Sequence, residues 1–382
     1  MRFGIVSPLL DFNDGQGRVN LEVAAEIVRQ GHEVTVFAER IAPSLAASPQ
    51  VEAVSVPPPP WLPSRLLRDQ VLALRTERRL RASRDRCDAV LANGFVTWAQ
   101  SDINAVHFVH AAWLRSRYHP WRLRRDARSL YARAYSQANA LLERRALRRS
   151  RRIVAVSAQV RQELLRAGVP GERIHVIING VDTEEFHPGL AEPARFGLPD
   201  AVPLALFAGD LKSPRKNLET VLRALSEVPD LHLAVAGRTD GSSYPAVARS
   251  MSLQDRVHFI GFCREMPALM RAADIFVFPS RYEACSLVLL EAMASGLPVV
   301  TVSTAGGAEL VTPDAGTVLA DSDDHHALAA ALRLLAVEPA RRHAMAEAAR
   351  RQAMRHSWRA MAGRYVDLLR EAVEERRRRA DA

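Results

Sequence analysis

The chain writes one rhythm twice: a short apolar run, a turn, a segment with helical spacing, then another apolar run. "RFGIV" leads into a glycine-bearing turn, then into "VNLEVAAEIVRQG", which ends at Gly31 before "HEVTVFA". "DAVLAN", "NAVHFVH", "RIVAVS" and "IHVII" continue the series. The rhythm restarts near residue 202 with "VPLALFAG", "LHLAVAG", "RVHFIGF", "DIFVFPS", "PVVTV" and "GTVLA". Strand-length apolar runs alternating with helices predict parallel sheets covered by helices. With 382 residues the chain is too long for one ordinary core and fits two domains.

"NGVDTEEFHPGLAEPARFGLPD", rich in Gly, Pro and acids, separates the two series. The expected division is a first domain over 1–180, a linker over 181–200 and a second domain over 201–357. A long basic amphipathic helix over about 358–382 is expected to pack back on the first domain. "VPPPPWLP" (56–63) is a stiff connection, because the alternation resumes after it. The fold class is therefore α/β, with two Rossmann-like βα domains facing a central cleft. Ligands belong outside the carboxyl ends of such strands.

Composition narrows the classes of function. No apolar run approaches the roughly 18 residues of a membrane span, and "MRFGIVSPLL" reads as a buried strand, unlike a signal peptide. Cys87, Cys263 and Cys285 make no disulfide framework and suit a reducing compartment. The expected location is cytoplasmic. Charge is uneven: residues 61–152 carry 21 Arg against seven Asp and Glu, a local excess of +14, while the whole chain is +9. Either this half meets an anionic partner, such as the inner face of a membrane, or its Arg-rich helices are simply solvated. Nucleic acid is not expected, since no nucleic-acid module and no basic-aromatic interleaving appears.

Three segments carry chemistry. In "FAGDLKSPRKNLETVLRAL" a strand ends at Gly209 and a helix opens after a turn-rich loop. Both lysines of the chain, Lys212 and Lys216, lie in that loop beside Arg215, in a sequence with 50 Arg. A compact ammonium and a guanidinium fork at a helix start suit a diphosphate. In "RYEACSLVLLEAMASGLPVV" Glu283 and Glu291 stand eight apart, the second among apolar neighbours, where a carboxylate needs a partner. Ser286 is the expected N-cap of a helix through about Ala294, with Gly296 past its end. The N–H groups of Ser286, Leu287 and Val288 would then face anionic oxygens, and Glu291 could reach a vicinal diol. The third segment, "LLDFNDGQGRVNLEV", places Gly15 and Gly17 between strand and helix, where backbone approaches a ligand or simply turns.

His107 and His110 lie near a strand end, His110 the better placed at the cleft; no ligand spacing around them supports a metal. "DSD" at 321–323 reads as a helix cap, not a metal string.

Taken in order, "GDLKSPRKN", "DIFVFPSRYEACSLVLLEAMASGLPVV", "AGGAELV", "INGVDTEEFHP" and "SWRAMAGRYVDLL" make the chain resemble the retaining family 4 glycosyltransferases of GT-B fold. The resemblance covers nearly the whole chain, and Glu283 with Glu291 forms the family's E-x7-E motif. It implies transfer of a sugar from a nucleotide-diphosphate donor to an acceptor hydroxyl of a glycan, a lipid-linked sugar or a natural product. It implies no metal and no further cofactor. By the same resemblance Glu291 would hold the ribose hydroxyls and Glu283 the donor sugar. Leu287 and Val288 N–H, Arg215 and Lys216 would hold the diphosphate. Gly15 and Gly17 would lie near donor phosphate and acceptor, and His110 at the transferred sugar. Gly209 falls in the phosphate loop, and Phe262 and Cys263 where the family holds the base.

The pattern departs from the family at three places. Asp210 stands where an arginine is common, "EACS" replaces "EGFG" and so puts Cys285 and Ser286 in the donor loop, and Gly-Gln-Gly replaces an adjacent glycine pair. Two other classes compete: an NAD(P)-dependent oxidoreductase with Glu39 as the ribose acid, and a catalytically silent binding subunit of the same fold.

Overall fold

The structure, a computed structural model, describes residues 1–12, 14–83 and 86–380. Residues 84–85 of the Arg-rich segment and 381–382 of the expected tail helix lie outside the described residues. The chain divides into two compact units, Met1–Gly180 with Trp358–Ala382, and Val181–Ser357. Residues 181–200 thus cluster with the second unit.

The first unit contributes β1 (Arg2–Val6), β2 (Leu9–Leu10), β3 (Glu33–Ala38), β4 (Arg40–Ile41), β5 (Val51–Ser55), β6 (Ala89–Asn93), β7 (Ile103–Val106), β8 (Arg152–Ala155) and β9 (Ile174–Val176). Seven of them form one parallel sheet in the order β5-β3-β1-β6-β7-β8-β9, while β2 and β4 pair separately. Its helices are α1 (Gly15–Arg29), α2 (Pro43–Ala46), α3 (Arg65–Ser83), α4 (His110–Arg115), α5 (Pro120–Leu123), α6 (Ala127–Arg149) and α7 (Ala158–Arg166). Phe3, Ile5 and Val6 are wholly buried, and β6 is buried at every residue. Helices on both faces of a parallel sheet demand such unbroken apolar runs. The one strand of this sheet missed in the sequence, β5, is the exception: it lies at the sheet edge, three of its five residues are exposed, and it carries no such run.

The second unit contributes β10 (Leu204–Ala208), β11 (His232–Ala236), β12 (Val257–Gly261), β13 (Ile275–Phe278), β14 (Val299–Val302) and β15 (Gly316–Leu319). Its helices are α8 (Leu218–Ser226), α9 (Tyr244–Ser250), α10 (Met266–Arg271), α11 (Leu287–Ala294), α12 (His325–Val337) and α13 (Pro339–Ala353). The sheet is parallel in the order β12-β11-β10-β13-β14-β15. The order in which strands are added therefore reverses between β10 and β13, as it does between β1 and β6 in the first unit. Each reversal opens a crevice at the strand carboxyl ends, which is where ligands of such sheets bind.

The last helix, α14 (Trp358–Ala380), belongs to the first unit and packs on α1. Arg376 bonds Asp102 at 2.8 Å and Arg152 bonds Glu375 at 3.0 Å, tying α14 to the sheet. Gly180 makes the closure possible, because a Cβ there would lie 2.6 Å from Trp358 Cα.

Candidate active site

In the second unit the two loops that flank the β10/β13 reversal carry the expected residues and join them. Gly209 follows β10, and a Cβ on it would lie 3.2 Å from Lys216 Cγ, so its bareness lets the Lys216 stem cross the strand end. Lys216 Nζ lies 5.0 Å from the centre of the Phe278 ring and makes an ion pair with Glu283 from the loop after β13. Both side chains are mostly buried, at 15% and 18% exposure. Sequence reasoning gave these two residues separate ligands; in the structure each is the other's partner. Arg215 joins through its backbone, whose carbonyl accepts from Arg281 N at 2.8 Å and from Ser280 Oγ at 3.2 Å. Asp210, at the position of the missing arginine, accepts from Lys212 N at 3.0 Å and so forms the turn.

Ser286 caps α11, accepting from Leu289 N at 3.3 Å, and Gly296 beyond its end has φ 77°. The backbone N–H of Ser286 is not available to a ligand as expected: it donates to Gly306 O at 2.9 Å. Leu287 and Val288 remain the N–H groups that a first helical turn leaves unpaired within the helix. Nor is Glu291 buried in an apolar run. Leu287, Val288 and Glu291 are half-buried, whereas Leu289, Leu290, Ala292 and Met293 are buried. Spacings of three and four bring the first three onto one face, so the apolar run wraps the other faces.

Two residues that sequence reasoning left without a role hold this arrangement together. Gly306 packs on the Glu283–Ala284 backbone, and its N–H donates to Glu283 O at 2.8 Å. Asn217, directly after Lys216, is wholly buried in the left-handed region at φ 64°. Its amide donates to Pro279 O at 3.1 Å and Ser322 O at 2.6 Å, and its Oδ1 accepts from Thr220 at 2.8 Å. Replacing Asn217 by Ala removes its hydrogen bonds to two buried carbonyls and strains the backbone, a loss of about 3 kcal/mol. Urea unfolding of Asn217→Ala should show that loss, and Asn217→Gly, relieved of the strain, a smaller one.

The first unit holds the other expected residues around its own β1/β6 reversal. Gly15 and Gly17 do not form a loop: Gly15 is the first residue of α1, and Gly17 N donates to the Asp14 carboxylate at 2.7 Å. A carboxylate already caps the helix end where a dinucleotide's diphosphate would dock, which disfavours that reading. Glu39, its expected ribose acid, is paired with Arg68 at 3.1 Å. Between these elements lies a polar pocket of about 140 Å³, lined among others by Gln16, Arg65, Asn93, His107, His110 and Tyr135.

Three atoms of its lining residues are sealed from solvent with no hydrogen-bond partner among the described residues: Asn93 Oδ1, His107 Nε2 and His110 Nδ1. Burial pushes both imidazoles down to about 4, which leaves them neutral. His110 opens α4, and its N–H donates to the Glu143 carboxylate at 3.1 Å. Glu143, the one acid of the Arg-rich α6, was legible only as that anomaly. It is 4% exposed, and burial pushes its carboxyl up to about 8, further raised by Glu163 and opposed by the N–H groups of His110 and Ala111. A raised folded-state pKa means stability present below the ordinary carboxyl range and lost as pH rises through about 8. Unfolding measured from pH 5 to 9 should show this decline, and Glu143→Gln should flatten it.

Phe262 and Cys263 follow β12; Phe262 is 61% exposed with the Arg238 guanidinium 4.9 Å from its ring centre. Burial pushes the Cys263 thiol up, so it is no thiolate nucleophile at neutral pH. Asp324, next to "DSD", caps α12, while Asp323 pairs with Arg281 at 2.9 Å. The one group of His, Cys, Asp or Glu donors gathered within 4.8 Å among the described residues is Glu227, His325 and His326. His326 Nδ1 already bonds Glu227 at 2.9 Å there.

Residues 13–185 match the model of Glycosyltransferase Family 4, and residues 191–352 that of Glycosyl transferases group 1. D-inositol 3-phosphate glycosyltransferase of Kineococcus radiotolerans is 30% identical, over 97% of this chain and 94% of that protein. The enzyme of the same name from Xylanimonas cellulosilytica is 28% identical over 93% and 91%. Among solved structures, WaaG, a glycosyltransferase involved in lipopolysaccharide biosynthesis, superposes with TM-score 0.76 at 20% identity, over 97% of this chain and 99% of its own. Sucrose-phosphate synthase from Thermosynechococcus elongatus gives 0.79 at 19% identity, over 97% and 98%. HepE of Anabaena, solved with UDP-glucose, gives 0.69 at 19%, over 97% and 100%. These solved structures share the two-domain GT-B fold.

Proposed function

We propose that this chain, which belongs to the family 4, group 1 glycosyltransferases of GT-B fold, moves a sugar from a nucleotide-diphosphate donor to an acceptor hydroxyl with retention at the anomeric carbon. The observation that carries the reading is the Lys216–Glu283 pair at the β10/β13 reversal, beside the open first turn of α11. A departing diphosphate develops negative charge. Lys216, Arg215 and the Leu287 and Val288 N–H groups would offer it fixed positive potential, catalysis of the electrostatic kind.

Donor binding would part the ion pair. Lys216 turns to phosphate, and Glu283 accepts from the sugar hydroxyls that it then holds in place. Glu291, on the same helix face as Leu287 and Val288, takes the ribose diol, and Phe262 and Cys263 flank the base. The bound UDP-glucose of HepE supports a nucleotide-sugar donor.

On the first unit, His110 meets the transferred sugar and the polar pocket receives the acceptor. The names of the full-length relatives support a polyhydroxylated acceptor, and the three orphaned polar atoms of that pocket match one in chemistry. The acceptor hydroxyl belongs to a sugar or polyol, free or carried on a lipid. Peripheral contact with an anionic membrane face would run through the Arg-rich 61–152 segment. No helix of the described residues is long and apolar enough to cross a membrane.

No metal has a part in this chemistry, so activity should survive EDTA unchanged. Glu291→Ala should raise the donor KM by about tenfold or more, the worth of a hydrogen bond to a charged group, with a smaller change in kcat. Loss of activity in EDTA, or an unaltered KM in Glu291→Ala, would contradict these roles. Analysis of the product anomer by NMR tests retention.

A further inference from the structure

A second cavity of the first unit lies between α4, α6 and the end of α7, and Glu143 stands in the wall it shares with the polar pocket. Its volume is about 670 Å³, within the range of small-molecule sites, about 300–1,000 Å³. Val109, Leu114, Leu141, Leu147, Leu164 and Val169 give it an apolar wall. Arginines ring it, and four of them, Arg115, Arg144, Arg148 and Arg166, have no carboxylate partner among the described residues. The fifth, Arg173, is occupied, donating to Leu147 O at 2.6 Å.

We propose that this cavity binds one anionic membrane lipid, its hydrocarbon chain against the apolar wall and its phosphate on the unpaired arginines. The proposal deepens the reading of peripheral membrane contact and rests on it. A free anion has no use for the leucine wall, and a neutral lipid none for four unpaired guanidiniums; an anionic amphiphile uses both. Leu141, on the cavity wall, is 69% exposed, an open apolar edge at its mouth. Leu130, eleven residues earlier and so about three helical turns away on the same face of α6, is 54% exposed. Next to it Tyr131 is 45% exposed, and Leu123 of α5 49%. Arginines flank these exposed apolar side chains, and the combination suits contact with an anionic membrane interface. One of the side chains, Leu141, stands at the cavity mouth.

Dihexanoyl phosphatidic acid and dihexanoyl phosphatidylcholine, both below micelle formation, are the probes, with inorganic phosphate as a third. Titration of the full chain should show the phosphatidic acid binding at least tenfold tighter than either of the others. Ala140→Trp, which fills the cavity from α6, should weaken it at least tenfold. The double variant Arg144→Glu/Arg148→Glu should abolish the preference for the anionic headgroup. If Ala140→Trp does not fold, Leu141→Asp at the exposed mouth replaces it with the same expected loss.

Equal binding of inorganic phosphate and phosphatidic acid would overturn the proposal, as would unchanged binding in these variants or no binding at all. Sedimentation with vesicles of 30% anionic lipid separates this failure from that of the broader reading. If the cavity variants still sediment like the parent chain, the basic surface binds membranes and the cavity does not. Donor hydrolysis should be unaltered in every cavity variant.

Discussion

Replacing Lys216 by Ala is expected to lower kcat by about 10²–10³, the cost of one charge-stabilising donor at a developing anion, with little change in donor KM. The ammonium has two duties that the variant separates. In the resting protein it neutralises Glu283, and both are mostly buried. Lys216→Ala alone therefore also costs about 2 kcal/mol of stability, between the worth of an exposed pair and a fully buried one. The double variant Lys216→Ala/Glu283→Gln removes the stranded carboxylate and should regain most of that stability, while turnover stays low. If the double variant instead recovers turnover, Lys216 serves only to neutralise Glu283. Arg should not replace Lys216. The ammonium is a compact point charge that can turn from Glu283 to a phosphate, whereas a planar guanidinium fork would hold the carboxylate bidentately.

Gly306→Ala is expected to be the most damaging single methyl in the second unit. The added carbon would lie 1.9 Å from Ala284 O, 2.4 Å from Ala284 C and 2.7 Å from Glu283 O. All three are backbone atoms, so no side chain can swing aside. The 283–286 segment must move, and with it the bonds from Gly306 N to Glu283 O and from Ser286 N to Gly306 O. A loss of about 3 kcal/mol or more follows, at the upper end of overpacking, together with donor affinity. Calorimetry on Gly307→Ala gives the comparison. At Gly307 nothing lies nearer than 3.8 Å, and only the φ of 96° opposes a side chain, a cost of about 1–2 kcal/mol. Equal melting temperatures for the two variants would show that the Gly306 contact does not hold the loop.

The fold was legible because buried parallel strands must be apolar on both faces, and all eleven apolar runs after the first overlap an observed strand of the two main sheets. The edge strand β5 escaped because none of its residues is buried, so "VEAVS" carries no such run. In the candidate site, spacing located Glu283, Glu291 and the Ser286 cap, because helical period and capping are local rules. What sequence could not show was pairing across the sheet reversal. Lys216 and Glu283 are 67 residues apart, and only the strand order β11-β10-β13-β14 brings their loops together. The apolar setting of Glu291 suggested burial, yet three-dimensional phase put it on the partly open face with Leu287 and Val288. Asn217 looked like an ordinary loop residue; its left-handed φ and two distant carbonyl partners exist only once β13 and the start of α12 are in place.

The central claim is that the second unit binds a nucleotide-diphosphate sugar through the groups around the Lys216–Glu283 pair. Calorimetric titration of the full chain with UDP-, GDP-, ADP- and TDP-sugars, and with NAD, tests it most directly. The account predicts that at least one nucleotide sugar binds, that Glu291→Ala weakens it about tenfold or more, and that NAD does not bind. Binding of NAD with none of the nucleotide sugars, or nucleotide-sugar binding indifferent to Glu291→Ala, would contradict it.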